Sequence, residues 1–177
     1  MVYTISIIIA IGSAFRRWMV THMKSRTCCF SGHRSLPQCD LEQIAERTKE
    51  AIEASIQDGY CFFGTGGALG FDTLAAKAVL ELKTRYPELK LILVLPCKDQ
   101  SVRWNAADIA EYERIKSNAD KVVYTSEHYY NGCMQKRNRH LVDNSSLCIC
   151  YLASKTGGTA YTIDYAKKNG CRVINLA

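Results

Sequence analysis

The chain has 177 residues, the length of one ordinary domain, and can bury most of its apolar surface in a single core. Its composition, with 47% hydrophobic residues, 23% charged residues and 3 prolines, excludes a disordered or fibrous protein. The formal net charge is +6, but residues 1–26 hold four basic side chains and no acid, which leaves +2 for residues 27–177. This near balance argues against a surface that coats polyanions in general.

The first 26 residues differ in character from the rest. Their apolar run, residues 5–12, is too short to span a bilayer. Positive charge follows this run, whereas it precedes the apolar run of a secretory signal. A second methionine, Met23, stands just before the first strand pattern. We therefore predict that residues 1–26 are an extension peripheral to the fold, that translation starting at Met23 would omit residues 1–22, and that no stable membrane insertion occurs. Weak attachment to a membrane surface is the alternative.

The nine cysteines follow no disulfide framework. Their number is odd, no C-x-x-C pair occurs, and most of them lie in apolar runs. Buried thiols of this kind behave as small hydrophobic side chains in a reducing compartment. We predict reduced cysteines, no metal site and a cytoplasmic protein.

From Thr27 onward, short apolar runs alternate with stretches of helical periodicity. Strands are predicted at residues 27–30, 60–63, 89–95, 121–124, 147–152 and 171–176, and helices begin near residues 40, 72, 107, 133 and 158. Asp40 and Gln43 fit a capping box at the start of the first helix, which Gly59 ends. The alternation predicts an α/β fold: one domain over residues 27–177, a three-layer sandwich on a mainly parallel sheet with right-handed crossovers.

Three turns are expected at one edge of this sheet. They are "SGHR" (31–34), "GTGGALGFD" (64–72) and "KTGGTAYT" (155–162), and each follows a predicted strand. Ligands of such sheets bind at the carboxyl ends of the strands, and the start of a helix offers free N–H groups to an anion. Together the turns predict a phosphate-binding site. Its candidate residues are Ser31, Gly32, His33, Arg34, Gly64, Thr65, Gly66, Gly67, Ala68, Gly70, Asp72, Gly157, Gly158 and Thr159.

The glycine turns match neither familiar nucleotide template. Gly64, Gly66 and Gly70 are spaced one residue wider than the dinucleotide fingerprint and follow the second strand rather than the first. No G-K-[ST] occurs, so ATP hydrolysis at a Walker A loop is not expected. Asp72 has two interpretations that stay open: acceptor of a ligand hydroxyl, or partner of the helix dipole.

Three further residues are candidates outside the turns. Arg137 could fork onto a phosphate and Asn138 could bind a ribose or a base edge, although a solvated basic face is the alternative for this helix. Trp104 could stack on a base, but packing against the core is favoured. We expect Arg137 to act on the ligand without a role in folding.

Five motifs in order resemble the SLOG superfamily, named from the Smf/DprA and LOG proteins, and most closely its YpsA-like branch. They are "FSGHR", "GGALGFD", the residues Q-x-x-R-W-N from Gln100 to Asn105, "RNRHLVDNSS" and "GGTAYTIDYAKKNG". The resemblance runs from about residue 27 to residue 176. It implies a Rossmann-like fold with a pocket for a nucleotide or a nucleotide-derived ligand, and it identifies no particular cofactor.

The resemblance leaves three functions to compare. LOG-type phosphoribohydrolases use P-G-G-x-G-T-x-x-E, and alignment on Gly158-Thr159 puts Thr162 at the glutamate and Ser154 at the proline. Because hydrolysis lacks its obvious carboxylate, binding or sensing of a small-molecule nucleotide derivative is favoured over catalysis. A single-stranded DNA-binding module related to DprA is the third reading, which the low charge of the body disfavours. A homo-oligomer stays open.

Overall fold

A computed structural model describes residues 21–177, so the expectations for residues 1–20 lie outside the described part. Residues 21–25 are helical and lead into the first strand. The strands are β1 Thr27–Gly32, β2 Phe62–Thr65, β3 Lys90–Leu95, β4 Lys121–Tyr124, β5 Leu147–Tyr151 and β6 Arg172–Asn175. The helices are α1 Leu41–Gln57, α2 Phe71–Leu82, α3 Ala106–Asn118, α4 Cys133–Asp143 and α5 Gly157–Lys168, with a short 3-10 turn at Gln38–Asp40.

All six strands are parallel and lie in the order β4-β3-β2-β1-β5-β6. The chain runs outward from β1 to β4, then returns to the free side of β1 and continues outward through β5 to β6. The direction reverses between β1 and β5, where Gly32 pairs with Tyr151 at the carboxyl ends. The carboxyl ends of β1 and β5 therefore mark the topological switch point, the place where such sheets bind ligands.

The helices cover the two faces of the sheet with separate cores. On one face, buried side chains of α1, α2 and α3, such as Ile52, Val79 and Ile115, pack against the sheet. On the other face, α4 and α5 contribute a second cluster that includes Val142 and Ile163. The three-layer, Rossmann-like α/β sandwich expected from the sequence is confirmed, and the sheet is parallel throughout.

The ends of α1 test two sequence predictions. Gly59, with φ of +89°, follows the helix, and Tyr60 N–H donates to Ser55 O at 3.0 Å, as expected of a glycine stop. The capping box is wrong: the Asp40 side chain makes no capping hydrogen bond. Because Asp40 is the last residue of the 3-10 turn, it has φ −111° and ψ 1°, not the extended backbone that directs a side chain onto the first turn.

The cysteines and the membrane question can be described for residues 21–177. Eight cysteines are buried and Cys39 is exposed, and within the described range all nine are free thiols. That range contains no group of three or more His, Cys, Asp or Glu side chains that could hold a metal ion. It also contains no helix with the length and apolar character needed to cross a membrane.

Candidate functional site

A cavity of about 270 Å³ lies at the switch point, between the carboxyl ends of β1 and β5. Ten of the predicted site residues line it, together with two that the sequence did not suggest, Phe30 and Met134. The predicted lining residues are Ser31, Gly32, His33, Arg34, Ala68, Asp72, Arg137, Asn138, Gly158 and Thr159. The "SGHR" and "KTGGTAYT" turns therefore meet at one cavity, with α4 forming a third wall.

Arg137 is the unusual residue of this cavity. It is 5% exposed, and in the described chain its Nε and Nη1 atoms are buried without a hydrogen-bond partner. Its nearest counter-charge is Asp72, with Nη1 at 3.6 Å from Oδ2. Each buried N–H group without a partner costs about 1–3 kcal/mol. Packing alone does not account for a cation in this environment.

The position of Arg137 follows from the spacing of α4. Cys133, Arg137 and Leu141 occur at intervals of four residues and are all buried, so the arginine occupies the inner face of the helix. The interpretation of α4 as a solvated basic face does not hold for this residue. Lys136 and Arg139, its neighbours in the sequence, are exposed.

Gly66 makes room for the Arg137 side chain. A Cβ atom added to Gly66 would overlap with Nη1 and Cζ of the guanidinium group. This contact connects the turn after β2 with α4. The two residues are 71 positions apart, so no local sequence pattern predicts the contact. The glycine is required because the guanidinium lies directly against the backbone.

The other glycines of the "GTGGALGFD" turn also serve close packing. Gly70 has φ of +75°, and its Cβ would overlap with the backbone of Arg34; the following N–H, of Phe71, donates to His33 O at 3.1 Å. Gly67 has φ of +61°, and Gln100 Nε2 donates to its carbonyl oxygen at 2.7 Å. Gly64, Thr65, Gly66, Gly67 and Gly70 do not line the cavity. The glycines of this turn pack against residues that line the cavity, such as Arg137 and Arg34, whereas Ala68 and Asp72 are the residues of the turn that line it.

Asp72 belongs both to the fold and to the cavity. The residue is 6% exposed, and its carboxylate accepts a hydrogen bond from Ala68 N–H at 3.3 Å and faces Arg137. Burial raises the pKa of Asp72, while the Arg137 charge and the backbone N–H of Ala68 oppose that rise. Burial likewise lowers the pKa of Arg137, against the opposing effect of Asp72. The pair is therefore a poorly solvated ion pair, and Asp72 lines the cavity beside it.

The start of α5 presents free backbone to the cavity. Thr156 makes no side-chain capping hydrogen bond. Among residues 21–177, and apart from the neighbouring residues and the backbone of the helix itself, no atom lies within 4 Å of a Cβ built on Gly157 or Gly158. Gly158 and Thr159 line the cavity, while Gly157, with φ of +92°, lies just outside it. The first N–H groups of a helix carry partial positive charge and bind anions.

Asn138 and Thr162 connect α4 to α5. Asn138 Nδ2 donates to Thr162 Oγ1 at 2.8 Å, and Thr162 Oγ1 donates to Gly158 O at 2.8 Å. Thr162, which is 3% exposed, stands where the LOG motif has its glutamate. Its hydroxyl is used by the protein itself, so this position supplies neither a carboxylate nor a free hydroxyl.

The two aromatic candidates have different surroundings. His33 lines the cavity, but its Nε2 accepts a hydrogen bond from Ala153 N–H at 3.1 Å and so ties the loop after β1 to the loop after β5. Trp104 packs edge-on against Tyr112, with ring centroids 5.4 Å apart, and lies outside the cavity. The interpretation of Trp104 as a core residue agrees with this placement.

A second groove is less suited to a polar ligand. It encloses about 320 Å³ on the face of β2, β3 and β4 that α4 only partly covers, and side chains such as Ile92, Val94 and Val123 form its floor. Within residues 21–177, the buried side-chain atoms without a partner belong to Gln100, Ser126 and Arg137, and none of these lines the groove. The switch-point cavity is therefore the candidate site.

Comparisons with known proteins identify the family and the fold of this chain. The YpsA family model, described as the YspA SLOG family, matches residues 28–173. The SPbeta prophage-derived protein YoqJ of Bacillus subtilis is 32% identical over 118 residues, which cover 60% of this chain and 69% of that protein. The UPF0398 protein BH1768 of Halalkalibacterium halodurans is 32% identical over 131 residues, covering 72% of this chain and 69% of the relative.

Solved structures share the fold at low sequence identity. DNA processing protein A of Helicobacter pylori, described for its single-stranded DNA binding mode, superposes with a TM-score of 0.62 and 17% identity over 89% of this chain and 67% of that chain. The protein TM1055 superposes with a TM-score of 0.52 and 19% identity over 84% and 72%. The resemblance found in the motifs is confirmed by a family match that spans nearly all of the described chain: this protein belongs to the YspA SLOG family.

Proposed function

We propose that this protein binds a nucleotide or nucleotide derivative in the switch-point cavity, with a phosphate between Arg137 and the start of α5. The observation that carries the proposal is the buried Arg137 guanidinium, which lines the cavity while two of its nitrogen atoms lack hydrogen-bond partners. A phosphate would supply the hydrogen-bond acceptors that these two nitrogen atoms lack, and would add negative charge to that of Asp72.

The chemistry around the cavity suits a sugar phosphate. Arg34 stands exposed at the rim and adds a second cation near the uncapped N–H groups of α5. Asp72 contributes acceptor oxygens, which favour a ligand that carries hydroxyl groups as well as phosphate. The volume of about 270 Å³ is close to the lower end of small-molecule sites, roughly 300–1,000 Å³. A ribose phosphate unit combines these properties.

Binding without hydrolysis is the form of the proposal that the residues favour. Thr162 replaces the LOG glutamate and is hydrogen-bonded to Gly158 and Asn138. Asp72 is the one acidic side chain that lines the cavity among the described residues, and it already faces Arg137 and the N–H of Ala68. A general acid or nucleophile for an N-glycosidic bond would have to be drawn from this ion pair.

Single-stranded DNA is the competing ligand, because the structurally similar DNA processing protein A of Helicobacter pylori is described as binding it. The two proposals differ in their response to salt. Binding to DNA depends on several phosphates and weakens steeply, with a slope of about −0.7 per phosphate for single strands in a plot of log affinity against log salt. A nucleotide held by one cavity should show a shallow slope.

The test measures unfolding and binding with defined probes: inorganic phosphate, AMP, ADP-ribose and a thymidine oligonucleotide. A ligand at 100 times its Kd stabilises the folded state by about 2.7 kcal/mol, which raises Tm measurably. We expect AMP or ADP-ribose to stabilise the wild type and the variant Arg114→Met, a control on the exposed side of α3, but not Arg137→Met. Stabilisation by the oligonucleotide alone, or equal binding to Arg137→Met, would contradict the proposal.

A further inference from the structure

A second cavity, which we call the outer cavity, adjoins the switch-point cavity. It is open to solvent, has a volume of about 420 Å³, and shares Gly158 with the switch-point cavity. Gly132, Gln135, Arg139, Gly157 and Tyr161 complete its lining. Apart from the two glycines of α5, none of these residues was a candidate from the sequence.

The geometry of α4 explains why the two cavities lie side by side. Successive residues of a helix point about 100° apart, so three consecutive side chains face three directions. Arg137 and Asn138 both line the switch-point cavity, Asn138 also bonds to Thr162 of α5, and Arg139 faces the outer cavity. The Asn138–Thr162 hydrogen bond of 2.8 Å holds the two helices together at the boundary between the cavities.

Tyr161 presents a fixed aromatic ring in the outer cavity. The residue is 41% exposed, its hydroxyl accepts from Arg139 Nη1 at 3.4 Å, and its ring stacks on Tyr165 with centroids 6.5 Å apart. Side chains in a helix lean toward the N-terminus, which brings this ring toward Gly157 and Gly158. Because neither glycine has a Cβ and the space around both is open, a flat group can approach the ring there.

We infer that the outer cavity is a base subsite, which takes the heterocycle of the same ligand whose phosphate lies at Arg137. This inference rests on the proposed function and extends it: the preferred ligands are nucleoside phosphates, and sugar phosphates without a base bind less tightly. Tyr161 provides the stacking surface, and Arg139 fixes the ring and adds a planar cation at its edge. Stacking of a base on an aromatic side chain contributes about tenfold to affinity.

The experiment compares AMP with ribose 5-phosphate by isothermal titration calorimetry. These two probes share the sugar and the phosphate and differ in the adenine. We expect the wild type to bind AMP about tenfold more tightly than ribose 5-phosphate. The variant Tyr161→Ala should lose this preference while its affinity for ribose 5-phosphate stays unchanged, and Tyr161→Phe should keep the preference because it retains the ring.

Tyr129→Ala is the matched control, since Tyr129 is 63% exposed and lies outside both cavities. It should behave as the wild type does. If the wild type binds both probes equally, or if Tyr161→Ala keeps the preference for AMP, the base subsite is refuted while the proposed function stands. If the wild type binds neither of these probes, the base subsite is refuted, and the proposed function is refuted with it when ADP-ribose also fails to stabilise the wild type.

Discussion

Removing the charge of Asp72 should destabilise the protein, and removing the charge of Arg137 as well should restore the stability. At the observed 3.6 Å and an effective dielectric constant of 20, the attraction within this pair is about 5 kcal/mol. Asp72→Asn keeps an oxygen for the Ala68 N–H but leaves the buried arginine without a counter-charge, a change that costs about 3–5 kcal/mol. For a domain of this size, that loss lowers Tm by roughly 10 °C.

The double variant Asp72→Asn with Arg137→Met removes both buried charges and the N–H groups that lack partners. Replacement of a buried ion pair by uncharged groups of similar volume is neutral or stabilising by about 1–4 kcal/mol. Urea unfolding followed by circular dichroism measures all three proteins, and equal m-values would show that the unfolded states are comparable. A double variant as unstable as Asp72→Asn would refute the argument that Arg137 is kept for binding at a cost in stability.

The remaining predictions concern the surroundings of this pair. Arg137→Met removes the positive charge that lowers the pKa of Asp72, so burial raises that pKa further in the folded protein. The folded state then binds a proton more readily than the unfolded state, and the free energy of unfolding should increase as pH falls from 7 to 5. Urea midpoints that do not rise over this pH range would contradict this. Gly66→Ala should displace the Arg137 guanidinium and so lower both Tm and the affinity for AMP. Gly158→Ala should leave Tm unchanged, because the space around its Cβ is open. Equal Tm values for the two variants would contradict this explanation. Thr162→Val removes the hydroxyl shared by α4 and α5 and should cost about 1–3 kcal/mol in urea unfolding, a cost that would be absent if the hydrogen bonds were unimportant.

Much of the fold could be predicted because apolar residues recur along the chain at the spacing of buried strands and of helix faces. The apolar run of β3 fits a strand covered on both faces, and in α1 the buried Ile44, Thr48 and Ile52 follow helical spacing. The position of the cavity could also be predicted from the sequence, since parallel strands bring their carboxyl ends to one edge of the sheet and the order of connections determines the switch point. These are properties of local pattern and of topology.

The roles of particular residues were harder to predict from the sequence, since they depend on contacts between distant parts of the chain. The sequence identifies Gly66 as a glycine but does not say that the Arg137 side chain lies against it. The basic composition of α4 concealed the burial of Arg137, although its spacing from Cys133 and Leu141 is a signal that could have revealed it. From the sequence, Arg137 was expected to act on the ligand without a structural role. Because its guanidinium is paired with the buried Asp72, we now expect its variants to change stability as well as binding.

The most direct test of the site is a calorimetric titration of AMP into the wild type and into the double variant that lacks both buried charges. That variant is expected to fold, so a change in its affinity reports on the site rather than on unfolding. We predict one AMP bound per wild-type chain and an affinity at least about 100-fold lower in the double variant, because hydrogen bonds to a charged group contribute about 1.5–3 kcal/mol each. Unchanged affinity in the double variant would contradict a phosphate site at Arg137.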